Sequence, residues 1–236
     1  MSGHSHFATI KRQKAANDAV KGNLFSKLAR NIMIAAKGGA DPDMNFKLRV
    51  EIDKARASSM PKENIDRAIA KATTDAANLQ ENVYEGFGPG GISVIIHTAT
   101  DNKNRMSQEM KNMFEKSGGT LAGPGAVSFN FVSRGFMLVK KSEDPESQML
   151  KMIDLGVEDV NDSPDGIEVY TAPDKLGEEH KKFIDAGFEV PETELIMKPV
   201  NLQTITDTDI VTKALAFLSN IEDHDEVTQV FTNLNV

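Results

Sequence analysis

Apolar residues recur three and four positions apart along most of the first third of the chain. This spacing runs from Phe7 to Lys71 without strand-like alternation, which predicts a series of amphipathic helices. Gly38–Gly39 ends one helix, Asp41–Pro42 is suited to cap and start the next, and Pro61 suits the first turn of a third. Residues 1–80 are therefore predicted to form a small all-helical domain.

The pattern changes after Tyr84, where short β-rich runs alternate with single helices. Ile92–Ile96 has the β-branched composition of a buried strand, and Val127–Val132 is predicted as a second strand. A further set of strands and helices begins near Gly135, and the chain ends with a helix from Asp209 to about Ile221 and a strand over Val227–Phe231. We expect an α+β fold, with helices on one face of mostly antiparallel sheets.

These elements are predicted to form three domains. Residues 1–80 form the basic helical domain, and residues 81–132 plus 200–236 form an α+β middle domain. Residues 133–199 form an acidic α+β domain inserted in the second, because the last helix and strand complete the middle sandwich. Both later domains are expected to be α/β sandwiches of the ferredoxin-like type.

The composition is that of a folded globular protein, with 39% hydrophobic and 26% charged residues. The absence of cysteine excludes disulfides, thiolate zinc sites and cysteine nucleophiles, and it fits a reducing compartment. No apolar run approaches the roughly 18 residues that a membrane span needs, and no hydrophobic segment follows the basic start as in a secretory signal. We therefore expect a cytoplasmic protein that makes no membrane contact.

The formal net charge of −8 hides an uneven distribution of charge. Residues 1–80 contain 14 Lys and Arg against 8 Asp and Glu, whereas the remainder contains 13 against 27. A basic module is typical of nucleic-acid binding, because phosphate contacts need exposed, flexible cations. The alternative is a solvated helix face. The candidate phosphate-binding residues before Gly38, which have only Asp18 as an acidic neighbour, are Lys11, Arg12, Lys14, Lys21, Lys27 and Arg30.

Later cations in the helical domain are less favoured as ligand contacts. Each has an acidic residue four positions away, a spacing that permits local pairing on a helix. The predicted pairs are Lys47 with Glu51, Arg49 with Asp53, and Glu63 with Arg67.

The segment Tyr84–Gly91 is rich in glycine and can cradle an anion with its backbone amides. It leads into a strand, however, and lacks the Lys-Ser/Thr pair with which a nucleotide-hydrolysing loop enters a helix. We expect a structural turn or a contact surface for a macromolecule. The candidate contacts in this loop are Gly86, Gly88, Gly90 and Gly91.

Lys103 and Arg105 lie in a polar turn just before a predicted helix. Asp101 or Asn102 is expected to cap that helix. Because the two cations are close in sequence to the glycine-rich segment, they are candidates for a second nucleic-acid contact surface.

We find no complete catalytic or metal-binding pattern in the sequence. His4 and His6 alternate as a metal-binding pair would, but a third and a fourth ligand are missing. Asp159–Gly166 starts like a calcium loop but has proline where the pattern needs glycine. Asp223–Glu226 has no oriented partner and is predicted to be a solvated helix end. We expect neither enzymatic activity nor a cofactor.

Five spaced motifs, in order along nearly the whole chain, resemble the YebC/PmpR family. They are Gly3–Lys11, Gly38–Pro42, Ser59–Ile69, Tyr84–Gly91 and Thr100–Arg105. The family includes bacterial proteins described as probable transcriptional regulators and a mitochondrial translational activator of cytochrome oxidase. The resemblance implies a three-domain α/β protein with a helical N-terminal domain. The chain departs from the family pattern at His6 and Asn23, where the family has basic residues, and this weakens the case for tight duplex binding.

These features predict a nucleic-acid-binding regulator of gene expression. Its target is either DNA, as the family's description favours, or ribosomal RNA if the protein is a ribosome-associated translation factor. Two further alternatives are a nucleotide-using enzyme and a protein-protein adaptor that acts through the acidic domains. The sequence does not specify an oligomeric state.

Overall fold

The computed structural model describes residues 20–74 and 79–236 of the chain. The helices in these ranges are α1 (Val20–Ala36), α2 (Phe46–Ala57), α3 (Lys62–Thr74), α4 (Lys103–Lys116), α5 (Pro145–Asp154), α6 (Leu176–Asp185) and α7 (Thr208–Glu222). The strands are β1 (Gln80–Phe87), β2 (Ser93–Thr100), β3 (Thr120–Ala122), β4 (Phe131–Val139), β5 (Asp159–Ser163), β6 (Gly166–Thr171), β7 (Glu192–Pro199), β8 (Gln203–Thr204), β9 (Val227–Thr232) and β10 (Leu234–Asn235). Helices followed by mostly antiparallel sheets confirm the predicted α+β class.

The described residues form two compact units according to their internal contacts. One unit consists of residues 132–198. The other contains the described residues up to Phe131 together with Pro199–Val236. The finer division into three domains stays a prediction.

The three N-terminal helices share one apolar core. Leucine and isoleucine recur at helical spacing on each helix, so that every helix has one apolar face to bury. The core contains Leu28, Ile32, Ala35, Ala36, Leu48, Ile52, Ala55, Met60, Ile65 and Ala68. Partly buried side chains that pack against it include Phe25 and Met33.

Asn45 fixes the start of α2. Its Oδ1 accepts a hydrogen bond from the Leu48 amide over 3.1 Å, which caps the helix. Its Nδ2 donates to the backbone oxygens of Ala35 and Gly39 over 2.7 and 2.8 Å, which satisfies the end of α1. The prediction that Asp41–Pro42 starts this helix is wrong, because Asn45 supplies both caps and the helix begins at Phe46.

A four-stranded sheet with the order β3-β1-β2-β9 forms the middle of the larger unit. Its pairs are antiparallel, with Tyr84 opposite Ile96 and Ile95 opposite Phe231. The apolar face of α4 consists of Met106, Met110 and Phe114, which are fully buried. Strands β8 and β10 form a separate parallel pair.

The prediction of a strand over Val127–Val132 is wrong for its first four residues. Ser128–Asn130 forms a single turn of 3-10 helix, and β4 begins only at Phe131. The backbone amides of Val127 and Ser128 bond to a side chain instead of a neighbouring strand.

The smaller unit is a sheet with the order β5-β6-β4-β7 and two helices, α5 and α6. Phe136 lies opposite Tyr170 in the antiparallel pair of β4 and β6, and Val160 opposite Val169 in that of β5 and β6. Asp144 caps α5 through a hydrogen bond from the Ser147 amide. The segment Asp159–Gly166, considered above as an incomplete calcium loop, is part of the β5–β6 hairpin.

Candidate nucleic-acid interface

The candidate phosphate-binding residues closest to the N-terminus fall outside the structure described. Lys11, Arg12 and Lys14 precede the described residues, and Lys21 lies on α1 but its side chain is also undescribed. Their predicted contacts with phosphate stay predictions.

Arg30 and Arg105, two further candidates, meet at one carboxylate. Arg105 Nη2 donates to Glu226 Oε1 over 2.7 Å, and Arg30 Nη1 donates to the same oxygen over 3.3 Å. Arg30 Nη1 also donates to the backbone oxygen of Ala99 in β2 over 2.9 Å. Arg105 Nη2 in addition lies 3.0 Å from the exposed Asp101. The Arg30–Glu226–Arg105 cluster therefore connects α1 to α4 and to the residue before β9.

Glu226 is almost completely buried, with 6% of its side chain exposed. Burial acts to raise its pKa, but the hydrogen bonds from Arg105 and Arg30 outweigh burial and hold the pKa below the usual range. The prediction of a solvated helix end over Asp223–Glu226 is thus wrong for Glu226. Its partners are 196 and 121 positions away in the chain, so that no local pattern could reveal them.

The two candidate lysines in the described ranges have different surroundings. Lys27 Nζ donates to the backbone oxygen of Glu222 at the end of α7, which adds to the attachment of α1. Lys103 is the first residue of α4 and is exposed, and it has no hydrogen-bond or ion-pair partner among the described side chains. Asn102 caps α4 by accepting a hydrogen bond from the Arg105 amide over 3.0 Å, as predicted. An anion at this position would also meet the positive end of the helix dipole.

The glycine-rich segment packs against two phenylalanine rings. A Cβ at Gly86 would lie 2.4 Å from Phe114 Cε1, and a Cβ at Gly88 would lie 2.8 Å from Phe217 Cε1. A Cβ at Gly119 would lie 2.7 Å from Phe217 Cε2. The two rings meet edge to face with their centroids 5.1 Å apart. These glycines are required by packing, because any larger residue would displace a ring.

Gly90 and Gly91 form the turn between β1 and β2. Both have φ angles in the left-handed region, 78° and 74°, which favours glycine. A Cβ at Gly90 would lie 2.3 Å from Ile205 Cδ1, whereas one at Gly91 would meet only open space. Of the four candidate contact glycines, Gly91 alone combines a turn conformation with room for a ligand. The role of the loop as a contact surface stays a prediction.

Glu85, the second residue of the same segment, stabilises the loop that precedes β4. One carboxylate oxygen accepts a hydrogen bond from the Gly125 amide over 2.8 Å, and the other accepts from Val127 and Ser128 over 2.8 and 2.9 Å. Burial acts to raise the pKa of Glu85, but the backbone donors prevail and the pKa lies below its usual value. The fastened loop places the Phe129 ring at the surface, 80% exposed.

The ion pairs predicted within α2 and α3 do not form. Lys47 reaches Glu81 at the start of β1 over 3.4 Å. Arg49 donates to the backbone oxygens of Pro42 and Asp43 instead of to an acidic side chain. Arg67 has no hydrogen-bond or ion-pair partner among the described residues. The predicted pair of Glu63 with Arg67 therefore does not occupy the Arg67 guanidinium.

Arg67 lines an open groove between α1 and α3. The groove has a volume of about 260 Å³, and its lining consists of Phe25, Ser26, Ala29, Met33, Met60, Asn64, Arg67, Ala68 and Lys71. Its apolar lining residues are called the floor, and its polar lining residues on α3, which are Asn64, Arg67 and Lys71, are called the edge. Sequence patterning gave no sign of this groove, because the lining residues of α1 lie more than 30 positions from those of α3.

Two sequence models of one protein family match this chain in succession. The one described as TACO1/YebC protein N-terminal domain matches residues 5–75. The one described as TACO1/YebC second and third domain matches residues 79–234. The chain belongs to the TACO1/YebC family. The resemblance inferred from the five motifs is thus confirmed.

Bacterial members of the TACO1/YebC family match over their whole length. A probable transcriptional regulatory protein of Thermotoga petrophila is 43% identical over 241 residues, which span 100% of this chain and 94% of that protein. One from Sulfurihydrogenibium is 39% identical and spans 100% of this chain and 96% of its own. A crystal structure of a conserved hypothetical protein from Aquifex aeolicus superposes with a TM-score of 0.84, 36% identity, and coverage of 92% of this chain and 91% of that one.

Residues 20–74 and 79–236 contain no group of three or more histidine, aspartate and glutamate side chains placed to hold a metal ion. Within the same ranges, no helix has the length and apolar character needed to cross a membrane.

Proposed function

We propose that this TACO1/YebC family member is a cytoplasmic, non-enzymatic regulator of gene expression that binds nucleic acid through its basic helical domain, with promoter DNA as the target. The observation that carries the proposal is the separation of charge. Residues 132–198 contain 16 acidic and 8 basic side chains, a difference equal to the formal net charge of the whole chain. The remainder is neutral in total, and its first 80 residues are basic. Relatives named probable transcriptional regulatory proteins support the same process.

The two kinds of charge have complementary roles in this proposal. Lys11, Arg12, Lys14 and Lys21 hold phosphates, and Lys103 assists from the N-terminus of α4. The acidic unit is repelled by phosphate, so it faces away from the nucleic acid and orients the protein on it. Catalysis is not required, because binding alone can block or recruit other factors.

A second candidate target is ribosomal RNA. The observation that favours it is that most described arginines are already hydrogen-bonded within the protein. Reading base pairs in a groove of duplex DNA commonly uses arginine forks. Arg30, Arg49, Arg56 and Arg105 all bond to other parts of the protein. Arg67 is then the one described arginine before β3 without a partner. A protein with few free arginines is better suited to sequence-tolerant contacts, as with structured RNA.

The test of nucleic-acid binding is a charge reversal of Lys11, Arg12 and Lys14 to Glu. We expect the affinity for any nucleic acid to fall, and the slope of log affinity against log salt to flatten by about 2 to 3 units, because three phosphate contacts are removed. The matched control reverses Lys151, Lys181 and Lys213, which are exposed and have no partner among the described residues. Equal losses in the two triple variants would contradict a specific role of the N-terminal cations.

The choice of target is tested by comparing a promoter duplex, a scrambled duplex and purified ribosomes at physiological salt. A preference of more than about 1000-fold for the promoter, the range of dedicated repressors, would establish the transcriptional target and exclude the ribosomal one. Weak, equal binding to both duplexes together with saturable binding to ribosomes would do the reverse.

A further inference from the structure

The groove between α1 and α3 is small and open compared with typical ligand sites. Cofactor and drug-sized ligands occupy cavities of about 300–1,000 Å³, whereas this groove measures about 260 Å³. The groove is therefore better matched to one small group than to a large cofactor.

An aromatic ring forms part of the floor. Phe25 packs against the helical core but remains partly exposed on its groove side, next to Met33. Nucleobases stack on exposed aromatic rings in a way that tolerates any base, because every base has a π-face. The floor is thus chemically suited to an unpaired base.

The edge of the groove provides hydrogen bonds and positive charge. Neither the side-chain amide of Asn64 nor the guanidinium of Arg67 has a partner among the described residues. An asparagine amide donates and accepts, as the edge of a base requires. Arg67 provides a fork for phosphate, and Lys71 lies one turn further along α3 on the same side. Base and phosphate can therefore be bound side by side.

An acidic amphipathic helix of another protein is the competing occupant. A helix that lies in a groove needs anchors at several successive turns. The described apolar floor provides a short stretch, formed chiefly by Phe25, Met33 and Met60. A single planar base matches this floor better than an extended helix.

We infer that this groove binds one unpaired nucleotide of a single-stranded RNA segment, with the base against Phe25, its edge at Asn64 and its phosphate at Arg67. The inference rests on the proposed nucleic-acid binding of the helical domain. We take single-stranded RNA as the source, because the bases of a duplex are paired and stacked inside it and must be unstacked at an energetic cost before they can enter a groove of the protein. The acidic helix becomes an outcome of the test.

The test uses the absence of tryptophan from the chain. Phe25→Trp introduces a single indole in the groove, and Phe129→Trp introduces one at an 80% exposed position elsewhere. Each full-length variant is titrated with a short single-stranded RNA, with a duplex of the same sequence, with an abasic oligomer of equal length, and with a synthetic acidic amphipathic peptide. We expect the RNA to quench the indole at position 25 and to leave that at position 129 unchanged, and the duplex and the abasic oligomer to quench neither.

Two alanine variants of the otherwise unchanged chain test the groove edge. Arg67→Ala and Asn64→Ala should each weaken binding of the single-stranded RNA by roughly tenfold, the order of one lost base or phosphate contact. Lys213→Ala removes an exposed charge on α7 and should leave the affinity unchanged. Melting curves of all three variants confirm that the helical core is intact.

Every other outcome of these titrations contradicts the groove inference. If the protein binds RNA but the indole at position 25 is not quenched, or the abasic oligomer quenches it equally, the groove inference is wrong and the proposed function stands. Quenching by the peptide and not by RNA identifies the acidic helix as the occupant and overturns the inference. If none of these oligomers binds, the inference fails, and the proposed function fails with it only if the promoter duplex of the preceding test is also not bound.

Discussion

Arg105 donates to Glu226 Oε1 over 2.7 Å, although the two residues are 121 positions apart. Arg30 approaches the same oxygen from α1, so one buried carboxylate neutralises two cations that sequence alone assigned to phosphate. Arg105 still has 43% of its side chain exposed. The pair therefore holds α4 against the residue before β9.

Glu226→Gln should destabilise the larger unit at neutral pH. We expect the free energy of unfolding to fall by about 1–2 kcal/mol, the range for charge-assisted hydrogen bonds that solvent partly screens. Since the folded-state pKa of Glu226 is lowered, its contribution is complete above the unfolded pKa near 4.3 and is lost as pH falls through the folded value. Urea unfolding should show the difference at pH 7 and its disappearance in strong acid. Asp101→Asn, which removes the exposed partner of Arg105, is the control and should change stability by less than about 0.5 kcal/mol.

Glu85→Gln should loosen the loop before β4. The carboxylate accepts hydrogen bonds from three backbone amides. The side-chain NH₂ group of glutamine is itself a donor, so it would replace an acceptor and lose the bonds to one or two of these amides. We expect a loss of about 1–3 kcal/mol at pH 7 and faster hydrogen exchange at Gly125, Val127 and Ser128. Glu81→Gln, on the same strand but 59% exposed, should leave both quantities almost unchanged. Unaltered exchange in the Glu85 variant would show that the loop does not depend on this side chain.

Glu179→Gln should stabilise the smaller unit. Glu179 is buried, its Oε2 has no hydrogen-bond partner, and burial raises its pKa despite the nearby Lys182 and Lys175. A raised folded-state pKa means that stability is greatest below the unfolded pKa and falls as pH rises through the folded value. The variant should therefore gain roughly 1 kcal/mol at pH 7 and match the wild type in acid. Hydrogen exchange of the β4 and β6 amides reports this unit, and slower exchange of the wild type at pH 7 would refute the prediction.

Gly86→Ala should destabilise the fold without acting on a ligand. The new methyl group would lie 2.4 Å from Phe114 Cε1 and 2.6 Å from the Thr120 backbone oxygen, and such overpacking costs about 1–3 kcal/mol. Gly123→Ala is the matched control, because a Cβ there meets nothing within 4 Å and the φ angle is not left-handed. We expect thermal melting to fall only in the first variant, while nucleic-acid affinity below the melting temperature is the same in both. A selective loss of affinity in folded Gly86→Ala would instead identify the loop as a contact surface.

Local patterns predicted most of the longer elements, but not the eight-residue strand β1, whose last four residues belong to the segment that was expected to be a turn. The helix predicted over Asp209–Ile221 is α7, Thr208–Glu222, and the strand predicted over Val227–Phe231 is β9, Val227–Thr232. In these elements the spacing of apolar residues extends over enough positions to be recognised. Strand β3 was not predicted, because three residues are too few to show a periodic pattern.

The errors arose where a distant side chain decides the local structure. Val127–Asn130 has the composition of a strand, but its amides bond to Glu85, which lies 42 and 43 positions earlier. For the candidate site, the basic character of the first helices could be predicted from the sequence. The groove could not, and neither could the hydrogen bonds of Arg30 and Arg105 to Glu226, because both depend on tertiary packing.

The position of Glu226 in the chain has a consequence for the order of synthesis. Arg30 is made 196 residues before its carboxylate partner. At translation rates of about 5–20 residues per second, roughly 10–40 s pass between the two. During this interval the nascent chain exposes a cation that the finished protein neutralises, and the fourth strand of its middle sheet does not yet exist. Until Glu226 has been made, the growing polypeptide therefore lacks the buried carboxylate that engages Arg30 in the finished protein.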